Sequence, residues 1–151
     1  MSATAFAHRL RVRYHEVDPQ GIVFNSRYLE YLDVAMTEWF RWLGWPYPDL
    51  VTAGLDPSLV SLTIDWTAPA TFDEQLSVGL SLQRVGRSSY TLAFEISRAE
   101  TSELLATASV VYVNFDAATR RARPLPDEIR RKMLARGSGQ LTIADGSFAE
   151  S

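Results

Sequence analysis

The chain has 151 residues, 46% of them hydrophobic, with 18 acidic and 15 basic side chains and a net charge of −3. That size and apolar content suit one domain with one core, and the charge balance gives no reason to expect nucleic acid or an anionic membrane surface as the main partner. The absence of cysteine excludes disulfides, cysteine nucleophiles and thiolate-bound zinc. No apolar run suits a signal peptide or a membrane span, so a soluble, cytoplasmic protein is expected.

In residues 9–14, arginines at 9, 11 and 13 alternate with Leu10, Val12 and Tyr14, the period-two pattern of a first strand. Asp18-Pro19-Gln20-Gly21 reads as a turn, after which helical spacing starts near Asn25 or Ser26, either a suitable cap, and runs to Leu43 ahead of Gly44. On this helix Leu29, Leu32, Met36, Phe40 and Leu43 recur at three- and four-residue steps, and Tyr28, Tyr31, Ala35, Trp39 and Trp42 widen the apolar arc. A helix apolar over most of its circumference needs cover on several sides, which a strongly curved sheet supplies.

Gly44-Trp45-Pro46-Tyr47-Pro48-Asp49 punctuates the chain. Four strand patterns follow, over residues 60–66, 76–82, 90–97 and 105–115, with short turns at Gly86-Arg87-Ser88 and Ala99-Glu100-Thr101-Ser102 that imply antiparallel neighbours. Pro124-Leu125-Pro126 stops the run, and residues 127–134 form a closing helix whose charge order, acidic then basic, suits its dipole. Residues 1–136 thus make one domain and residues 137–151 a flexible tail. The order predicts an α+β protein with its helices segregated from an antiparallel sheet.

Asp18 is the leading candidate for chemistry. A carboxylate just before a helix N-terminus can activate water, while unpaired N–H groups there polarise a carbonyl, a pairing suited to acyl transfer or hydrolysis. Asp-Pro-x-Gly is also a good turn sequence without any chemistry. His8 and His15 are the only histidines, so one chain offers a metal at most two imidazoles and no metal is expected. His15 is an alternative general base, oriented by Glu16 or Asp18. No Gly-x-Ser-x-Gly elbow occurs, and Ser26, Ser88 and Ser89 are weak nucleophile candidates. The turn Val85-Gly86-Arg87-Ser88-Ser89 offers amides, hydroxyls and a guanidinium to a phosphate or carboxylate, although it also reads as a solvated hairpin turn. Arg120, Arg121 and Arg123 read as a solvated basic loop. Trp39, Trp42, Trp45 and Trp66 belong first to a core, with one or two available as pocket wall.

The run from Tyr14 through Asp18, Gly21 and Asn25 to Leu29 resembles the signature of the 4-hydroxybenzoyl-CoA thioesterase-like branch of the hotdog-fold acyl-CoA thioesterases. The likeness continues through the long helix, Val60-Ser61, Arg87-Ser88-Ser89-Tyr90, and Asn114-Phe115-Asp116 to Pro124-Leu125-Pro126. It implies a five-stranded antiparallel sheet curled around the helix, homodimers or homotetramers with active sites shared between subunits, and no metal or cofactor beyond the coenzyme A of the substrate. By the same resemblance Asp18 is nucleophile or general base, Gly21 shapes its turn and the Asn25 amide contacts the thioester oxygen. Val60, Ser61 and Tyr90 fall in the substrate-binding set, and Arg87, Ser88 and Ser89 hold the nucleotide and pantetheine from the partner chain. Many members carry histidine where this chain has Asn25. The expected activity is hydrolysis of an acyl- or aryl-CoA thioester to free acid and coenzyme A. A non-catalytic acyl-CoA or acyl-carrier binding protein, and a hotdog hydratase or dehydratase, are the alternatives.

Overall fold

In a computed structural model, which describes residues 4–137 and 142–145, the long helix is α1, Arg27–Leu43. Its apolar arc is buried as the spacing predicts, with Tyr28, Tyr31, Leu32, Ala35, Met36, Trp39, Phe40 and Leu43 all in the core. The helix closes in a Schellman motif: Gly44, at φ 119°, donates its N–H to the Arg41 carbonyl at 3.0 Å, and Trp45 donates to Phe40 at 2.8 Å. Neither Asn25 nor Ser26 caps its start with a side chain. The chain instead enters through a tighter turn, in which the carbonyls of Phe24, Asn25 and Ser26 accept the N–H groups three residues on.

A sheet covers α1. Strands β1 (Phe6–Arg11), β2 (Pro57–Trp66), β3 (Gln75–Val85), β4 (Ser89–Arg98) and β5 (Leu104–Asp116) are joined by short β6 (Arg121–Ala122) and β7 (Thr142–Asp145), in the order β2-β5-β4-β3-β1-β7, with β6 beside β5. The five long strands pair antiparallel, while β7 runs parallel to β1. This curled sheet around one long helix is the α+β hotdog arrangement. Alternation works as read on β3 and β4, where Leu76, Val78, Leu80, Tyr90, Leu92, Phe94 and Ile96 all face the core. Burying each such side chain contributes about 1.5–3 kcal/mol.

Several boundaries differ from the sequence reading. The first strand is Phe6–Arg11 rather than residues 9–14, because Ala5, Phe6, Ala7 and His8 are buried in succession and leave no alternation to read. Tyr14 lies beyond it in a 3-10 turn and is 80% exposed. The punctuated stretch after Gly44 holds a short helix, α2 (Tyr47–Thr52), with proline in its first turn where a missing N–H costs nothing. The closing helix α3 spans Asp127–Arg136. Of the expected tail, residues 142–145 form β7, whereas 138–141 and 146–151 lie outside the described residues.

Near the end of β5, Asn114 is fully buried yet satisfied. Its Nδ2 donates to the carbonyls of Gly54 (2.8 Å) and Pro124 (3.0 Å), and its Oδ1 accepts from the Asp56 amide (2.9 Å) and Arg123 (3.2 Å). One side chain thereby joins the approach to β2, the end of β5 and the approach to α3. Asn114→Asp keeps the shape but turns an oxygen toward two carbonyls. Urea unfolding should show a loss of roughly 2–4 kcal/mol, as expected when buried donors are removed and their acceptors left unpaired.

Candidate active site

The stretch before α1 folds as a tight hairpin. Val17 and Val23 pair antiparallel, Asp18 donates its N–H to Ile22 at 2.9 Å, and Gly21 donates to the Asp18 carbonyl at 2.9 Å. Gly21 sits at φ 80°, the left-handed position that closes a three-residue hairpin loop. The Asp18 Oδ1 accepts the Gln20 N–H at 2.8 Å, so the turn role read from Asp-Pro-x-Gly is present. Among the described residues, no protein group bonds the other carboxylate oxygen. One oxygen is a structural anchor and the second is open.

The base of the hairpin is held by Glu16. Its Oε1 accepts from the Arg13 N–H and the Tyr31 hydroxyl, both at 2.8 Å, and its carbonyl accepts from Phe24 at 3.0 Å. Burial, then the Glu16 carboxylate, pushes the Tyr31 phenol far above its ordinary range. His15 lies 3.8 Å from the Glu16 Oε2 and is largely exposed. Glu16 therefore ties the hairpin to α1, in addition to any influence on His15. That tie spans 15 residues and no local pattern announces it.

The tight entrance to α1 uses the carbonyls of Phe24, Asn25 and Ser26. The Asn25 and Ser26 amides themselves donate no hydrogen bond among the described residues. They lie at the positive end of a 17-residue helix, one strand of hairpin away from Asp18. On its other side the hairpin leans on the link between β2 and β3. Val23 donates to the Ala70 carbonyl at 2.9 Å, Phe72 donates to Gly21 at 3.2 Å, and the Ala70 N–H donates to the Tyr28 hydroxyl at 3.1 Å. Tyr14 and Phe72 meet edge to face with centroids 5.9 Å apart, Trp66 meets Tyr28 edge to face at 5.7 Å, and Tyr14, Phe24, Phe72 and Trp66 are all exposed. Trp39 is wholly core and Trp42 and Trp45 pack beside it, so Trp66 is the tryptophan exposed near this site.

The remaining predicted residues lie elsewhere. Arg87 and Ser88 link β3 to β4 and Ser89 begins β4; the Arg87 carbonyl accepts from Leu125 (2.9 Å) and that of Ser88 from Asn114 (2.8 Å). Arg87 lines a 510 Å³ surface pocket with Gly86, Pro124, Leu125, Asp127 and Arg130, and Arg130 donates to the Gly86 carbonyl. The hairpin rests just before Gln75, at the start of β3, and Arg87 follows Val85, at its end. Eleven residues of strand separate them, about 35 Å. Val60 and Ser61 lie on β2, the outer strand, where pairing skips from Leu59 to Ser61 and leaves Val60 as a bulge, 58% exposed. Tyr90 is fully buried, stacked on Tyr112 and bonded to the Met36 sulfur, so its side chain packs the core and does not reach the turn's surface. Arg123 is engaged by Asn114, whereas Arg120 and Arg121 are exposed. Among the described residues, no group of three or more His, Asp or Glu side chains is placed to hold a metal, and no helix is long and apolar enough to cross a membrane.

The family pattern of the thioesterase-like superfamily matches residues 12–133. An acyl-CoA thioester hydrolase of Escherichia coli O6:H1 (YbgC) is 27% identical over 129 residues, covering 85% of this chain and 96% of the relative. A 1,4-dihydroxy-2-naphthoyl-CoA hydrolase of Synechocystis is 27% identical over 122 residues, 80% of this chain and 88% of that one. The crystal structure of Slr0204, a 1,4-dihydroxy-2-naphthoyl-CoA thioesterase from Synechocystis, superposes with a TM-score of 0.77 at 25% identity, covering 85% of this chain and 95% of the other.

A Cβ at Gly21 would meet no atom within 4 Å, so replacing this glycine is opposed by backbone conformation alone. Gly21→Ala should cost about 1–2 kcal/mol in urea unfolding and Gly21→Asn distinctly less, since asparagine tolerates the left-handed region.

Proposed function

The chain belongs to the thioesterase-like superfamily and is a thioester hydrolase, and we propose that it cleaves an acyl- or aryl-CoA thioester at the Asp18 hairpin. The observation that carries this reading is the open Asp18 carboxylate oxygen on a hydrogen-bonded hairpin that leads into a helix start with free amides. The thioester carbonyl sits against the Asn25 N–H. Either Asp18 takes a proton from water as its oxygen attacks the carbonyl carbon, or Asp18 attacks directly and water opens the resulting anhydride. On both routes the developing oxyanion is stabilised by the amide and the helix dipole, the C–S bond breaks, and coenzyme A leaves as thiolate to be protonated. These steps use protein groups, water and substrate, with no metal or further cofactor.

A second copy completes the site. Asp18 and the Arg87 turn lie at opposite ends of one sheet, too far apart to share a ligand's reacting and nucleotide ends within a protomer. β2 is the outer strand, with Leu59, Val60 and Trp66 exposed along it. Antiparallel pairing of β2 with a second β2 exchanges the ends, setting the partner's Arg87 turn beside Asp18. Arg87, Ser88 and Ser89 then hold the anionic nucleotide and pantetheine, Val60 and Ser61 flank the acyl path, and Gly21 shapes the catalytic turn. Dimers or tetramers acting on this substrate in the cytoplasm, where coenzyme A thioesters occur, complete the proposal.

Thiol release from a panel of short, medium, long and aryl acyl-CoAs tests it. Asp18→Ala should lower kcat by two to three powers of ten on the preferred member, as loss of one such element commonly does. Retained turnover would sink the mechanism, and saturable binding without hydrolysis by the parental protein would favour a binding protein. Arg87→Ala should raise KM for acyl-CoA about tenfold yet leave the matching acyl-pantetheine unaffected, because only the former carries the nucleotide phosphates.

A further inference from the structure

The link between β2 and β3 supports the Asp18 hairpin without belonging to a sheet ladder. Ala70 is its node: its N–H bonds Tyr28 in the first turn of α1, and its carbonyl bonds Val23 in the hairpin. The spacing between the Asp18 carboxylate and the α1 amides therefore depends on where residue 70 is held. Asp73, three residues on, is a non-glycine residue at φ 69°, a costly conformation that persists only where surroundings impose it.

Asp73 is held by Arg11 and Val12 of the first strand and its end, and the rest of the link is held by Arg98, at the end of β4. Its Nη2 donates to the Pro69 carbonyl at 3.1 Å, its Nη1 to the Glu74 Oε2, and its Nε to the Glu103 Oε1 at 2.8 Å. Glu74 in turn accepts the Thr71 N–H on Oε1 at 2.8 Å. The planar fork thus grips residues on both sides of Ala70 from a rigid strand, a geometry that lysine cannot reproduce. Both side chains are about one-fifth exposed, 21% for Arg98 and 22% for Glu74, which limits screening by water.

We propose that Arg98 and Glu74 are positioning residues for the reaction, which together fix Pro69 and Thr71, and through Ala70 the distance between Asp18 and the amides at the start of α1. This deepens the thioesterase reading and rests on it for its kinetic consequence, while its structural half stands on the hydrogen bonds alone. The charged groups facing Glu74 are Arg98 from β4 and Glu103 beyond it, with the Tyr28 phenol on the α1 side. Burial opposes the Glu74 charge, but the Arg98 guanidinium and the Thr71 amide outweigh it and hold the carboxyl below its ordinary value. A carboxylate with a lowered folded-state value contributes stability that is full above the ordinary glutamate range and is lost as the pH falls through that lowered value. The brace therefore stays intact at neutral pH and loosens only in acid.

The test uses the full chain with Arg98→Gln, Arg98→Lys and Glu74→Gln, each also in an Asp18→Ala background. Amide hydrogen exchange at Gln20 and Val23 should speed up about tenfold or more in Arg98→Gln and Glu74→Gln, with Leu92 in the core unchanged. On the preferred thioester, kcat should drop about 10- to 100-fold with KM within about threefold, since a misplacement near 1 Å has that effect. Arg98→Lys should fall between parent and Arg98→Gln. In the Asp18→Ala background Arg98→Gln should add less than about twofold, because it acts through Asp18. In parental protein, hairpin protection should decline below the ordinary glutamate range, a step absent from Glu74→Gln. Unchanged exchange at Val23 in both single variants overturns the brace, as does an equal kcat loss with and without Asp18. If the parental chain hydrolyses no thioester, the functional reading fails, and the exchange data alone decide the brace.

Discussion

The structure depends on one geometric demand: α1 is apolar around most of its surface and must be enclosed. Tyr28, Leu32, Ala35, Trp39, Phe40 and Leu43 cannot all be covered by a flat layer, so the sheet curls: β1 and β3 lie against the helix, β4 and β5 reach it through Tyr90 and Tyr112, and α2 and α3 pack on it as well. Close packing of Trp39 on Phe40, and of Tyr90 between Phe40 and Tyr112, leaves little room for the helix to shift. A helix fixed along its length has a fixed first turn, and that is where the proposed reaction geometry begins.

The enclosure is incomplete on one side. β2 carries Leu59, Val60 and Trp66 at the surface, with a bulge in its pairing to β5. The exposed outer strand and the distance between the Asp18 hairpin and the Arg87 turn are the two features on which the proposed pairing with a second copy rests, since antiparallel pairing of β2 would cover the edge and reverse the ends together.

At the Asp18 hairpin, the structural and chemical readings of Asp-Pro-Gln-Gly describe different atoms of one residue. Oδ1 makes the turn with the Gln20 amide, and this bond orients the other oxygen without consuming it. Glu16, Tyr31 and Ala70 then fix the hairpin against α1 from two sides. A group held through long side chains on neighbouring rigid elements loses less order than one on a free loop, so these polar contacts set where the Asp18 carboxylate stands.

The α+β class, the extent of α1, the alternating faces of β3 and β4, and the Asp18 turn are all legible in the order of amino acids, because each follows from local periodicity or turn chemistry within a few residues. The family likeness of the Tyr14-to-Leu29 run is equally legible, being carried by contiguous residues. Strand order, the exposed edge at β2 and the burial of Tyr90 arise only on folding, since a period-two pattern marks a face without saying what covers it. The first strand escapes a local reading for a related reason: a strand buried on both faces at Phe6 to His8 has no alternation. Glu16 to Tyr31, and Arg98 to Pro69 and Glu74, are 15, 29 and 24 residues apart. Polar partners at such separations meet only when the sheet has closed on the helix, and the resulting placement of Asp18 is a property of the fold.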